Sequence, residues 1–477
     1  MTRKEELLPI RDEPFKTDKL QRAATAEYLT DYLIGKHTTR KERNDSNSFT
    51  LNINAPWGIG KTYFLTNWAN LLRELGYVVV VFDAWANDYC DQPIIGFMSE
   101  VEEQLKLSLG RTAQARARLA KLLDSGKKII NVAPAVIAAT AVKQITGMTT
   151  ENLADIASAS ANEVATKIRD KLYEQSKETK SAIASFKSSL SSIVKHFEDD
   201  SKCKLPIFFF VDELDRCRPD YAIELLETVK HLFGVDGVYF VIATDTEQLS
   251  ASINAVYGER FSAEKYLRRF FHAEYTFPEL DNELYADYLL SKFGLHNNER
   301  LCIPNLTTNR TYKVSAPNPR TALFCAVADL LGQTLRDQEQ TVEIIDAVVL
   351  TTGDRKLHFP ALLTWAAIKQ SRGDIFKDLY ISPARGMKKL QESFKRNDTH
   401  YMGQKEERVS TQLLSEIVCR LLEWTHMGGD QLHQTYNRRM HSVEEALLRL
   451  TLNSCPIIDY HKLVWNASTI SRGMKTI

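Results

Sequence analysis

The 477-residue chain sets 61 Lys and Arg against 61 Asp and Glu, so a formal net charge of +0 gives no whole-chain argument for nucleic acid or an acidic surface as partner. Hydrophobic residues make up 44% and charged residues 26%, the balance of an ordinary soluble globular chain with material for two or three domains. The seven cysteines are scattered without a C-x-x-C pair, which suits a reducing cytosol, and the charged residues 1–12 lack the apolar core of an export signal.

After that leader, Leu20, Ala23, Ala24, Tyr28, Leu29, Tyr32 and Leu33 recur at helical spacing. They predict a helix over residues 18–34 that ends at Gly35 and packs beside the functional site, with a polar loop over 40–48. Residues 49–53 read as the first core strand. Ala55-Pro56-Trp57-Gly58-Ile59-Gly60-Lys61-Thr62 follows at once, and a helical pattern occupies 63–75. Strand, glycine-bearing loop and helix in this order describe a phosphate-binding loop, in which backbone N–H groups and the positive end of the helix surround a β-phosphate. Gly58 and Gly60 allow the close approach, Lys61 reaches the β- and γ-phosphates, and Thr62 offers a hydroxyl to Mg2+. Pro56, Trp57, Ile59 and Tyr63 complete the expected nucleotide contacts. The loop opens on Ala55 where the signature has Gly, a substitution that a negative φ tolerates.

Residues 77–82 (YVVVVF) form a continuous β-branched and aromatic run, the mark of a parallel strand covered on both faces, and end in Asp83-Ala84-Trp85. Helical patterns follow over 95–109 and, basic and alanine-rich, over 111–123. Residues 129–142 are apolar for about 14 positions, whereas a spanning helix needs roughly 20, so they read as a buried or lipid-touching hairpin. Residues 148–201 are polar and helix-prone. Two more buried strands lie at 205–211 and 237–243, with a helix at 221–233 between them, which is a right-handed crossover unit of a parallel sheet. Beyond residue 278 strands become scarce, and amphipathic patterns at 284–293, 319–335, 341–351, 359–370, 409–426 and 442–451 predict a mostly helical remainder.

The chemistry gathers at strand ends. Asp212 and Glu213 close the apolar run, placing Asp212 to hold Mg2+ and Glu213 to polarise the attacking water. Lys61 and Asp212 are 151 positions apart, so an insertion over about 111–201 separates them. Asp215 fits either a structural pair with Arg or metal and water positioning. Asp245, after Thr244, can sense the γ-phosphate. Arg268 and Arg269 are candidates for an arginine finger acting in trans, against the plainer reading of solvated helix residues. Asn318-Pro319-Arg320 opens a helix from which Arg320 can reach a nucleotide.

Four stretches together, the APWGIGKT loop, FDAW at 82–85, FFFVDELDRCRPD at 208–220 and NPR at 318–320, resemble the KAP family of P-loop NTPases, named for a neuronal membrane scaffold and for bacterial plasmid phage-exclusion proteins. The resemblance covers about residues 12–335. It implies an α/β fold with an ASCE-type parallel sheet, a helical insertion between the Walker motifs and a mostly helical C-terminal region. The divisions are then 1–110 and 202–280 for the NTPase core, 111–201 for the insertion, 281–335 for a helical lid and 336–477 for a partner-binding region. ATP and Mg2+ are the implied ligands, with Lys61, Glu213 and the lid Arg320 catalytic, Thr62 and Asp212 on the metal. Many members carry transmembrane helices in the insertion; here only 129–142 answers to them, so the expected location is cytoplasmic with a membrane contact open through that stretch. The implied function is an ATP-driven conformational or assembly switch, as a homo-oligomer with other proteins of an anti-phage defence operon. The alternative is a nucleotide-gated scaffold in which hydrolysis is incidental. Nucleic-acid binding by the tail through Lys388, Lys389, Lys395, Arg396, Arg438 and Arg439 competes with solvated helix faces. No Asn-Lys-x-Asp guanine-reading motif is present, which argues against GTP.

Overall fold

The computed structural model describes residues 13–90, 92–109, 113–132, 163–199, 203–277, 282–303, 318–397, 411–424 and 459–471. They belong to two compact units, Met1–Pro278 and Glu279–Ile477.

The first unit is built on a five-stranded sheet of β1 (Phe49–Asn54), β2 (Tyr77–Asp83), β3 (Lys204–Asp212), β4 (Val238–Thr244) and β5 (Ala273–Thr276), ordered β2-β3-β4-β1-β5. Every pairing is parallel, and β4 stands between the P-loop strand β1 and the acidic strand β3. That is the additional-strand arrangement. Side chains alternate across the strands, so one run fills two cores. Val80, Phe82, Phe209, Val211, Phe240 and Ile242 share one cluster, whereas Leu51, Ile53, Val79, Phe208, Phe210 and Val241 share the other. This is why β2, β3 and β4 read as apolar runs.

Helices α1 (Arg22–Glu42) and α2 (Lys61–Glu74) cover the second face, where Trp68 is fully buried. The first face carries α3 (Pro93–Ser108), α4 (Ala113–Val132), α5 (Glu163–Asp199) and α6 (Pro219–Leu232). The unit ends with α7 (Thr246–Tyr257) and the short α8 (Ala263–Leu267). Leu119, Leu122 and Ile129 of α4 and Phe186, Leu190, Ile193 and Phe197 of α5 lie in the same core as the sheet, so the insertion is packed into the NTPase fold.

Several expected boundaries move. α1 does not stop at Gly35 but runs on to Glu42, taking up part of the expected loop; buried Leu33 and His37 hold both sides of the glycine in place. Residues 129–132 are the last turn of α4, and 133–142 lie outside the described residues. Among the described residues no helix is long and apolar enough to cross a membrane. β5 was not legible, being a four-residue edge strand with a solvent-facing alternation.

The second unit contains α9 (Asn282–Lys292), α10 (Pro319–Leu331), α11 (Leu335–Thr351), α12 (Phe359–Ser371), α13 (Gly373–Ile381), α14 (Pro383–Asn397), α15 (Thr411–Trp424) and α16 (Tyr460–Ser471). A two-stranded pair, β6 (Leu301–Cys302) with β7 (Leu357–His358), joins them. The expected helix over 319–335 is cut at Gly332, whose φ of 63° leaves the helical region. Thr334 and Asp337 then form a capping box that starts α11. α12 is buried from Phe359 to Ile368 and acts as the central helix. Among the described residues, buried side chains such as Ala286, Phe324, Trp365, Leu422 and Ala467 share one core, so the described parts of the expected lid and tail stretches are packed together within this unit. The pattern at 442–451 lies outside the described residues.

Candidate nucleotide-binding and hydrolytic site

β1 delivers the loop. Ala55, 2% exposed, continues the ladder by donating its N–H to the Thr244 carbonyl at 3.0 Å, and the chain then turns through Gly58 at φ 83° and Gly60 at φ 88°. Residues with a side chain avoid that region, so the two glycines are a conformational requirement of the turn. α2 begins on Lys61 with no side chain capping its end, leaving the first N–H groups to the loop. Ala55 fits the first loop position because that residue is enclosed against β4.

Lys61 is 8% exposed and folded back on its own loop. Its Nζ donates to the Ala55 carbonyl at 2.6 Å and lies 3.6 Å from the Asp215 carboxylate. Thr62 Oγ1 donates to Glu213 Oε1 at 3.1 Å, which joins the P-loop to the acidic strand across 151 positions of sequence. Asp212, 6% exposed, accepts the Glu213 N–H at 2.8 Å. Burial pushes the carboxyl of Asp212 above its ordinary value against the Thr62 hydroxyl, while burial and then Asp212 do the same to Glu213. Glu213 sits at φ 58°, a left-handed conformation that costs a non-glycine residue about 1–2 kcal/mol. Its second oxygen is paired with Arg216, whose guanidinium lies 5.4 Å from the ring centre of exposed Trp85.

Asp215, left open between two roles by the sequence, is central. It is 6% exposed, and its Oδ2 accepts the Trp57 indole N–H at 2.5 Å and the Asp245 N–H at 2.9 Å. Its Oδ1 is buried without a hydrogen-bond partner. One carboxylate therefore holds the loop, the lysine and the end of β4. Asp245 places its carboxylate on the N–H of Gln248 as the cap of α7, so its side chain is engaged in helix capping.

A polar ladder beneath the loop was not anticipated. Asn52, fully buried, accepts from the Thr244 hydroxyl at 2.8 Å and donates to Glu274 on β5 at 2.9 Å, and Asn54 accepts the Thr246 N–H at 3.1 Å. Its only signal was two asparagines spaced two apart, alternating with the apolar Leu51 and Ile53 of β1. Arg268 and Arg269 are exposed. Arg320 belongs to the second unit, where it donates to the carbonyls of Leu295 (3.2 Å), Asn298 (2.8 Å) and Leu301 (2.7 Å), and to that of His296.

The residues fit a nucleoside triphosphate with Mg2+. A cation poised among carbonyls, a helix start that no side chain caps, an unpartnered buried carboxylate oxygen, and the hard oxygen donors of Thr62 and Asp212 match that chemistry.

The additional-strand sheet, its P-loop and the acidic pair at the end of β3, one strand removed from β1, define a nucleotide-binding P-loop NTPase. A family description, KAP family P-loop domain, matches residues 22–342, more than half of the chain. The chain belongs to that family. No curated protein matches it. Among solved structures, PCH-2 of C. elegans is 11% identical, covering 77% of this chain and 74% of its own, with a TM-score of 0.35. Cdc6p from Pyrobaculum aerophilum is 13% identical, covering 97% of this chain and 96% of its own, with a TM-score of 0.34. The fold is defined by the strand order and by the family.

Proposed function

We propose that the chain hydrolyses ATP and uses the cycle as a conformational or assembly switch. The observation that carries this reading is the Thr62–Glu213 hydrogen bond, because it sets the water-polarising carboxylate beside the phosphate-binding loop. Lys61 exchanges the Ala55 carbonyl and Asp215 for the phosphates. Thr62 and Asp212 would hold Mg2+, which would supply positive charge to the phosphates. Glu213 turns from Thr62 and Arg216 to orient the attacking water and accept its proton. Adenine, rather than guanine, follows from the missing guanine-reading motif and the family resemblance.

Glu213→Gln tests the chemistry: nucleotide binding is retained and turnover falls by at least about a hundredfold, as loss of a general base does. Unchanged turnover removes Glu213 from the role. A second reading, a nucleotide-gated scaffold with slow turnover, is favoured by the pairing of Glu213 with Arg216, which occupies the carboxylate. Mass photometry of Glu213→Gln without nucleotide, with ADP, and with ATP plus Mg2+ tests a homo-oligomeric switch. A larger species with ATP alone supports it, and makes Arg268, Arg269 and Arg320 the next targets; Arg320 must first leave its four carbonyls. The anti-phage setting and partners from a defence operon come from the family resemblance. Loss of phage protection in Lys61→Ala is its test.

A further inference from the structure

The segment ahead of α1 packs on the first turn of the P-loop helix. Phe15 sits at φ 61°, donates its N–H to Asn67 Oδ1 at 2.8 Å, and sets its ring 6.3 Å from Tyr63 and 6.2 Å from Phe64. The Thr17 hydroxyl is 3.3 Å from the Tyr63 hydroxyl, and Asp18 accepts the N–H groups of Leu20 at 3.0 Å and Ala23 at 2.9 Å, fixing the entry into α1. A strained phenylalanine and an aspartate turn thus fasten this segment beside Tyr63, the residue that follows Thr62.

Arg22, the first residue of α1, is 3% exposed. Its guanidinium stacks 3.8 Å from the ring centre of Phe277, which meets Phe64 edge-on at 5.1 Å, and its Nη2 has no hydrogen-bond partner. Burial lowers the affinity of Arg22 for its proton. A buried guanidinium N–H without an acceptor is costly, and the hydrolytic chemistry makes no use of this cation. In the phosphate cradle the β-phosphate lies inside the loop and the α-phosphate meets the first turn of α2, so the nucleoside leaves past Tyr63. Tyr63 is 36% exposed there, with Phe15 and Thr17 against it.

Resting on the P-loop reading, we propose that Phe15, Thr17, Arg22, Tyr63 and Phe277 form the nucleoside end of the site. Arg22 supplies its unpartnered N–H to an acceptor on a purine base or its ribose, and Tyr63 gives the base an aromatic wall. The segment 15–22 thereby recognises what the P-loop itself does not read.

The test measures calorimetric affinities of the full chain for ATP and for inorganic triphosphate, each with Mg2+, in the wild type and in Arg22→Met, Tyr63→Ala and Lys61→Ala. Arg22→Met is expected to weaken ATP by about tenfold to a hundredfold, the worth of a hydrogen bond to a charged group, and to leave triphosphate unchanged. Tyr63→Ala, at an exposed position that tolerates truncation, is expected to show the same selectivity. Equal losses for both ligands in Tyr63→Ala, or none for either, overturn the proposal, also where Arg22→Met fails to fold. Lys61→Ala separates the underlying reading: it loses both ligands if the P-loop binds phosphate, and keeps both if that reading is wrong.

Discussion

Asp215→Asn separates the charge of the central carboxylate from its hydrogen bonding. The amide oxygen in the place of Oδ2 still accepts from Trp57 and Asp245, while Lys61 loses the anion 3.6 Å away. The side chains are 9% and 1% exposed, so water screens the pair little. A separation near 4 Å is worth about 4 kcal/mol at an effective dielectric of 20, and removing one partner of a buried pair costs about 3–5 kcal/mol. Because Lys61 keeps the Ala55 carbonyl, the lower end is expected: about 3 kcal/mol, or roughly 6–10 °C in the melting of the first unit without nucleotide. ATP binding moves the other way. Lys61 no longer has to leave an anion and the phosphates no longer face one, so affinity tightens by roughly tenfold. Differential scanning calorimetry and titration calorimetry read the two effects. Unchanged stability, or weaker ATP binding, would refute the view of Asp215 as the resting counter-ion of Lys61 and leave it a structural anchor or a metal-positioning group.

Arg216→Ala frees Glu213 from its guanidinium partner, and steady-state ATP turnover is expected to rise several-fold at unchanged nucleotide affinity; a fall would place Arg216 within the hydrolytic machinery. Gly386→Ala drives a Cβ to 2.5 Å from the Leu379 backbone nitrogen, where α14 meets α13, and is expected to cost about 3 kcal/mol as a backbone clash, read as an earlier denaturant midpoint of the second unit. Glu224 on α6 has its carboxyl pushed up to about 7 by burial and then by Glu227. The folded value lies above the ordinary 4.5, so the stability it contributes is fully present below pH 4.5 and is lost as pH rises through about 7. Glu224→Gln is expected to flatten the decline between those pH values, and an unchanged slope would assign it to other groups.

Much of the site was legible because its signals are local. A glycine-bearing turn between strand and helix, and an apolar run closing on Asp212 and Glu213, state their chemistry within a few residues. The second unit was less legible. α14 carries mostly polar residues and gains its helix from packing on α13, where Asp378 pairs with Arg385 at 2.7 Å and with Lys389 at 2.5 Å. α10 and α11 read as one pattern until Gly332 and the Thr334 cap divided them. Four-residue β5 had too few side chains to set a period.

By itself the sequence determined that a P-loop with an acidic strand end exists here, since backbone freedom at Gly58 and Gly60 and the charges at Lys61, Asp212 and Glu213 follow from residue type. Only the tertiary structure decided that Asp215 is the meeting point of Trp57, Lys61 and Asp245, that Glu213 rests on Thr62 and Arg216, and that Arg22 is buried with an unpartnered donor. The physical reason is one of range. Propensity and periodicity act over a few positions, whereas burial and ion pairing depend on neighbours such as Thr62 and Glu213, brought together across 151 positions by the order of strands in the sheet.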